Sequence, residues 1–396
     1  MMERIVITGA GECGVRAAFA LREQGFAGTV TLLADEPALP YERPPLSKGK
    51  DGALKPIRPE EAYAEAGIDL FRGKRVHRID PAAKSVFLQS GASLPYDALL
   101  LATGSRARLF PTMEGCLTLR TDADADAIFQ SVKPGSTLGI IGGGFIGLEL
   151  AAVARGLGAE VTVFEAGERL LARAVPAAIA SMVANRHEVE GVTIRTGVGV
   201  AAATGTTVSF SNGETLTFDQ VVAGVGSVPN VELAEAAVLD VENGIRVDNN
   251  FRTSDPHIFA AGDCCNFDWR GARVRLESWK AAQDQGTFVA AAMLDNASSY
   301  GSVPWFWSDQ YDLTLQVAGL FDPALAIVER PTEDGQCIVF QCDGRGQLLA
   351  AAGIGQGNSI AKDIRIFEKL IERGAPLDPG LLADPSQNIK RLLRAA

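Results

Sequence analysis

The sequence predicts an α/β protein in which one strand–turn–helix–strand unit occurs twice in tandem, followed by a smaller α+β domain. Three observations carry that expectation. The apolar runs RIVIT (4–8) and LGII (138–141) each lead into a G-x-G-x-x-G motif, at Gly9, Gly11 and Gly14 and again at Gly142, Gly144 and Gly147. Each motif opens an alanine-rich helical pattern, then a second β-branched run that ends in an acid: Asp35 or Glu36 in the first copy, Glu165 in the second. Finally, residues 67–108 echo residues 191–230. Short alternating runs flank a turn (SGAS or SNGE), and a buried run then ends in ATG or GVG. A small antiparallel meander returning to a parallel strand accounts for that pattern.

After Asn230 the pattern changes. NGIRVDNNFRTSDPHIFAAGDC (243–264) reads as a strand, a turn and a buried strand ending at Gly262 and Asp263. Ser278 to Leu294 has the spacing of an amphipathic helix. From Trp305 the chain alternates as strands (LTLQVAGL, ALAIVER, CIVFQC, LLAAAGI) and closes with the helix SIAKDIRIFEKLIERG.

The glycines specify chemistry as well as shape. In such a turn the first permits the tight bend, the second lets backbone approach a pyrophosphate, and the third lets helix pack on strand. The helix N-terminus then offers free N–H groups and partial positive charge to the phosphates. Phe145 and Ile146 begin the second of these helices. Glu165 stands where a carboxylate accepts both ribose hydroxyls of NADH and repels a 2′-phosphate, so NADH is expected over NADPH; Arg169 nearby would soften that preference without reversing it. Asp263 ends a buried strand at the ligand edge of a parallel sheet. Glu12, inside the first motif, is expected to point to solvent.

Two such sites define two tandem Rossmann-like dinucleotide-binding domains, one for a resident redox cofactor and one for an exchanging partner. FAD beside NADH is the economical pair, because hydride passes between them without a protein nucleophile. The expected division is an FAD-binding domain from residues 1–110 and 237–304, an NAD-binding domain from 111–236, and a C-terminal α+β domain from 305–396.

Composition excludes other classes. The 396 residues suffice for two or three domains, and 47% apolar with 21% charged residues is the balance of a globular chain. Lys+Arg 37 against Asp+Glu 48 leaves a net charge of −11, which argues against nucleic-acid or anionic-membrane binding. No apolar run is long enough to span a membrane, and Met1 to Arg4 lead at once into the first strand and motif. A cytoplasmic, soluble protein is expected. The six cysteines contain no CxxC, so neither a zinc ribbon, a thioredoxin-type pair nor an iron–sulfur site is offered, and no metal is expected. Cys337 and Cys342, five apart on a strand, point to opposite faces and read as two separate thiols. With only His77, His187 and His257, no histidine-based triad is apparent.

The motifs YERPPLSK (41–48), ATGSR (102–106), IGGGFIGLE (141–149), RTSDPHIFAAGDC (252–264), ESW (277–279) and PWFWSDQYD (304–312) together cover nearly the whole chain. In them the sequence resembles the FAD-dependent ferredoxin reductases that serve bacterial ring-hydroxylating dioxygenases and class I P450 systems. The resemblance implies that Cys13, Asp35, Lys48, Val76, Arg120, Asp263 and Trp279 contact FAD, with Arg43, Pro45, Ala102, Thr103, Gly104 and Ser278 in the same motifs, and with Gly226 closing the second nucleotide site. It places Lys48 near flavin N5 and paired with Glu149, Pro45 against the ring, and Trp307 beside flavin and nicotinamide. Lys48, Glu149 and Trp307 are thus the candidate catalytic residues. The plainer alternatives are a surface lysine after a Pro-Pro turn, a solvated helix acid and a core tryptophan. Glu149 sits among Leu148, Leu150 and Ala151, which favours a buried partner. Cys13, where the family often has Ala, and Ala281, where it often has Asn, depart from the pattern.

The activity implied is that of an NADH:ferredoxin oxidoreductase: hydride from NADH to FAD, then single electrons to a [2Fe–2S] ferredoxin serving a dioxygenase or a P450. An acidic ferredoxin requires a local basic face, either Lys362, Arg365, Lys369 and Arg373 or Arg72, Lys74, Arg75 and Arg78. Two other readings compete. A disulfide reductase or NADH oxidase needs a reactive cysteine near the flavin, and residues 37–50 hold none. A non-catalytic, NADH-responsive flavoprotein is the third. Oligomeric state is left open.

Overall fold

A computed structural model describes residues 2–49, 54–297, 299–332 and 335–395. The chain forms two compact units: Met1–Arg43, Gly52–Arg106 and Ser227–Ser302 make the first; Pro44–Asp51, Ala107–Gly226 and Val303–Ala396 the second.

The first unit is built on a five-stranded parallel sheet, in the order Ile258–Ala260, Ala98–Leu101, Arg4–Thr8, Thr29–Leu33, Ile68–Phe71. Its central strands are buried on both faces, which is why they read as unbroken apolar runs rather than alternating ones. The helices Glu12–Glu23 and Trp279–Met293 approach closely through small residues: a Cβ on Gly286 would lie 2.6 Å from the Cys13 carbonyl oxygen. The expected meander is present as Val76–Asp80, Ser85–Leu88 and Ser93–Pro95. A second hairpin, Cys265–Trp269 with Ala272–Val274, was not legible, because its turn is Arg270-Gly271 and lacks the Asn or Asp of the usual signal.

The second unit repeats the arrangement. Thr193–Arg195, Glu160–Phe164, Thr137–Ile141 and Gln220–Ala223 form a four-stranded parallel sheet, and a meander of Val200–Ala203, Thr207–Phe210 and Thr215–Thr217 shares a core with it through Ile141, Phe164, Phe210 and Val221. Beyond it lies a five-stranded antiparallel sheet, ordered Trp305–Gln310, Leu313–Gly319, Leu348–Gln356, Cys337–Cys342, Val328–Arg330. The helix Ala361–Arg373 lays Ile364, Phe367, Leu370 and Ile371 against Phe340 and Leu348. The architecture is therefore two Rossmann-like α/β modules with a C-terminal α+β layer. Of ALAIVER only Val328–Arg330 is strand, and the long helix does not end the chain: Pro379–Ala383 and Ile389–Ala395 follow it. All six cysteines are free thiols. Among the described residues no helix is long and apolar enough to cross a membrane.

The strand Trp305–Gln310 sets up the chemistry described next. Its alternation puts Trp305, Trp307 and Asp309 on one face and Phe306, Ser308 and Gln310 on the other. Trp305 and Trp307 stack with centroids 5.5 Å apart, and Phe306 meets Phe145 edge-on at 5.1 Å.

Candidate active site

In the first unit the glycine turn is forced by close backbone approach. Gly9 adopts φ 107°, and a Cβ there would sit 2.1 Å from the Ala102 carbonyl oxygen; one on Gly14 would sit 1.9 Å from that of Gly9. Gly11 is different. Nothing lies within 4 Å of its would-be Cβ, and it is the N-cap of Glu12–Glu23 without any side-chain cap. The helix therefore opens onto free space with its first N–H groups directed outward, a cradle that fits the pyrophosphate of a dinucleotide.

The residues around this cradle are held by one another. Thr103 donates to the Asn230 carbonyl at 2.7 Å, Asn230 returns a bond to Thr103, and its N–H reaches the Gly104 carbonyl at 2.9 Å. Ser105 donates to Asp263 at 3.0 Å. Ser278 caps Trp279–Met293 by accepting from the Ala281 N–H at 3.2 Å. Asp35 is exposed and 3.3 Å from Arg75, whereas Glu36 takes bonds from Arg43 and Tyr41, each at 2.6 Å. Val76 is buried at the head of its strand. Burial pushes the Cys13 thiol well up, beside Gly262. Glu12 corrects the sequence expectation. It does not face solvent: Gln283 donates to its carboxylate at 2.9 Å, and burial holds its pKa above the ordinary value. The close packing around Gly286 brings Gln283 to it.

The second unit carries the same cradle. Gly142 (φ 109°) and Gly147 leave no room for a Cβ, at 2.3 Å from the Gly224 oxygen and 2.5 Å from the Gly142 oxygen, while Gly144 again faces open space as the N-cap of Phe145–Gly156. Ile146, in the first turn, is exposed. Glu165 folds over the loop and accepts from the Gly143 N–H at 2.8 Å and the Gly167 N–H at 2.7 Å. A carboxylate has about four acceptor positions, so two remain for a ribose diol. Arg169 donates to the carbonyls of Leu170 and Ala172, both at 3.2 Å. The Gly226 carbonyl takes the Arg108 N–H, and the Arg120 N–H is bonded to Asp124, whose carboxylate also closes a capping box with Thr121.

Glu149 lies one turn into the same helix and is only 8% exposed. The hydroxyl of Ser47 donates to one of its oxygens, and that of Ser308 to the other at 2.6 Å. Ser47 ends the short helical turn Pro44–Ser47, which the Lys48 N–H closes by bonding Pro45. The Lys48 ammonium goes elsewhere than the resemblance implied. It bonds Asp309 at 2.7 Å and lies 5.4 Å from the centre of the Trp307 ring. Asp309 also accepts from the Trp307 indole at 3.1 Å and from Thr314 at 2.9 Å. Strand alternation explains the exchange: Ser308 faces Glu149, so Asp309 faces the other way. A half-exposed lysine–aspartate pair also costs less desolvation than one made with a buried glutamate. Burial raises the Glu149 pKa, opposed by the two hydroxyls and the nearby Lys48 charge. At Asp309 burial also pushes upward, but Lys48, Thr314 and Trp307 outweigh it and leave the pKa below its ordinary value.

Sequence reasoning missed Ser47, Ser308, Asp309 and Gln310. For the last three the one sequence signal is the polar half of WFWSDQ, where buried-face positions of a strand carry Ser and Gln; Ser47 stands in the PPLS turn.

The chain belongs to the pyridine nucleotide-disulphide oxidoreductase family, whose model it matches over residues 3–286, and it carries the reductase C-terminal module over 305–393. Among its relatives are the ferredoxin–NAD(+) reductase component of the anthranilate 1,2-dioxygenase system of Burkholderia cepacia, 41% identical over 98% of each chain, and rhodocoxin reductase of Rhodococcus erythropolis, 40% identical over 98% of this chain and 93% of that one. The crystal structure of a covalent putidaredoxin reductase–putidaredoxin complex superposes with a TM-score of 0.92, at 34% identity, covering 100% of this chain and 99% of the other.

Proposed function

We propose that this protein is an NADH:ferredoxin oxidoreductase of a dioxygenase or P450 system, with FAD resident and NADH exchanging. The observation that carries the reading is the pair of glycine cradles, each leaving a helix N-terminus open, with Glu165 poised over the second. In this reading residues 1–110 and 237–304 bind FAD, 111–236 bind NADH, and 305–396 supply Trp307 and the partner surface. FAD held there would supply the conversion from the two-electron hydride of NADH to the single electrons that a [2Fe–2S] ferredoxin takes.

The chain's own residues do the rest. Gly9, Gly11, Gly14 and the dipole of Glu12–Glu23 hold a pyrophosphate; Glu165 binds the ribose of NADH and disfavours a 2′-phosphate. Asp309 fixes both Lys48 and Trp307, giving a preorganised positive group and an aromatic wall that excludes water from the hydride path. The cysteines argue against disulfide chemistry: burial raises the pKa of Cys13, Cys116, Cys264, Cys265, Cys337 and Cys342 alike.

For the ferredoxin we favour the helix Ala361–Arg373. Lys362 and Lys369 are exposed there with no ion pair among the described residues, while Arg365 pairs with Glu368. In the rival patch Arg72, Arg75 and Arg78 are neutralised by Glu60, Asp35 and Asp80. The reading places the protein in the cytoplasm, with NADH and a soluble ferredoxin. An anaerobic titration with NADH followed by addition of a [2Fe–2S] ferredoxin tests it. Flavin bleaching and then rapid ferredoxin reduction is expected. Bleaching with a stable charge-transfer band and no transfer to several ferredoxins would overturn the ferredoxin assignment, and absence of flavin would overturn the whole.

A further inference from the structure

We propose that His187 is a positioning residue for Glu149, acting through Gln310 and Ser308; the inference rests on the reading of Glu149 as part of the reacting centre. His187 lies on the helix Ala177–Val189, fully buried and outside both glycine motifs. Its Nε2 is 2.8 Å from Gln310 Oε1, and its Nδ1 is 3.3 Å from the Tyr311 hydroxyl. Gln310 Nε2 donates to Ser308 Oγ at 3.1 Å, and Ser308 donates to Glu149. Ser308 and Gln310 are 1% and 4% exposed, so the network is buried.

The sense of these bonds follows from the carboxylate. An ionised Glu149 only accepts, so the Ser308 hydrogen must point to it. The Ser308 oxygen is then left as an acceptor, which turns the NH₂ of Gln310 toward it and the amide oxygen toward His187. His187 must therefore carry its proton on Nε2, and its bare Nδ1 accepts from Tyr311. One orientation satisfies every member, and four bonds run in a single sense from Tyr311 to Glu149. With the proton on Nδ1 the amide reverses, its oxygen takes the Ser308 hydrogen, and Glu149 loses a donor. The imidazole tautomer thereby decides whether Glu149 is held by two hydroxyls or one.

Burial favours the neutral imidazole, and the charges around it act in both directions. Arg186 lies 5.2 Å from the centre of the Tyr311 ring and pairs with Glu190 and Asp312; Lys48 and Asp309 stand at the Glu149 end. Burial and Arg186 both act to lower the His187 pKa, against the Gln310 bond and Glu190. His187, Ser308, Gln310 and Tyr311 also line a small cavity.

The test uses the holoenzyme labelled with ¹⁵N-histidine. With three histidines in the chain, the His187 signals are those absent from His187→Gln. The expected spectrum is a neutral Nε2–H tautomer across the neutral pH range, and Glu149→Gln, which removes the accept-only end, should bring in the second tautomer. A wild-type Nδ1–H tautomer, or a His187 spectrum unmoved by Glu149→Gln, overturns the proposal. The second arm is the pH profile of anaerobic flavin reduction by NADH. Loss of one charge-assisted bond in His187→Leu should move the Glu149-dependent limb up by about one pH unit, a tenfold change in carboxylate population. His187→Gln, whose Nε2 replaces the imidazole donor, should restore it; superimposable profiles for wild type and His187→Leu overturn the proposal. The spectra do not depend on ferredoxin. A failure of ferredoxin reduction with the tautomers as expected would overturn the function and not the relay.

Discussion

Replacing Glu165 by alanine separates its two duties. The carboxylate holds the Gly143 and Gly167 N–H groups at 2.8 and 2.7 Å, and in the proposed function its remaining acceptor positions take the ribose diol. Charge-assisted bonds are worth about 1.5–3 kcal/mol each when buried; for a half-exposed side chain about 1 kcal/mol apiece is appropriate. The variant should then lose about 2 kcal/mol of stability, or about 4–8 °C in Tm for a unit of this size. Loss of the ribose contact should lower kcat/KM for NADH about 10–100-fold, while NADPH, no longer repelled, should lose far less. Glu165→Arg should push the preference further toward NADPH. Thermal melts together with steady-state rates on both nucleotides decide the matter. A fall in Tm with an unchanged NADH-to-NADPH ratio of kcat/KM would mean that Glu165 only braces the loop, and the ribose assignment would be wrong.

Gly14→Ala drives a methyl into the Gly9 carbonyl oxygen, 1.9 Å away, so the purified variant should retain little flavin by absorbance, whereas Gly11→Ala, with nothing within 4 Å, should remain folded by circular dichroism. Burial raises the folded-state pKa of Glu149 above its unfolded value, so its contribution is fully present below the ordinary value of 4.5 and is lost as pH rises through the raised pKa. The Tm advantage of Glu149→Gln over wild type should therefore be larger at neutral pH than at pH 4.5. His187 has the opposite sign: its pKa is lowered, and the stability it contributes above 6.5 should fall away as pH drops below that value, a loss that His187→Gln should remove. Lys362→Glu with Lys369→Glu should raise KM for an acidic ferredoxin several-fold and flatten its salt dependence, leaving flavin reduction by NADH unchanged.

What the sequence revealed depended on how local each constraint was. The first and third glycines of both motifs were legible because the collision that requires them is with backbone a few residues away or on the adjoining strand. The Ser278 cap, on the residue before its helix, was equally readable. Glu12 was misread because its partner, Gln283, belongs to a helix more than two hundred residues on. Lys48 was assigned to Glu149 from resemblance, yet one step of strand alternation gives that carboxylate to Ser308 and the lysine to Asp309. The two last helices were overlooked although Asp378 before Pro379 is an ordinary start signal, and Asp378 does cap the first of them. The relay from Tyr311 to Glu149 has no periodicity to find. Its members come from two helices, a strand and the turn that follows it, and only packing brings them together.

The strand Ala98–Leu101 has as its two neighbours Arg4–Thr8, made long before it, and Ile258–Ala260, made long after. During synthesis at about 5–20 residues per second, the wait for the later neighbour lasts about 10–30 s. For that time a fully apolar strand has one open edge, the kind of edge that recruits other chains. The module in between, with its own sheet and core, can fold during the wait and leave only the edge to be guarded. The order of the chain therefore makes yield of soluble protein a question of translation speed and chaperone supply as much as of final stability, and slower growth at low temperature trades aggregation rate against a longer exposure.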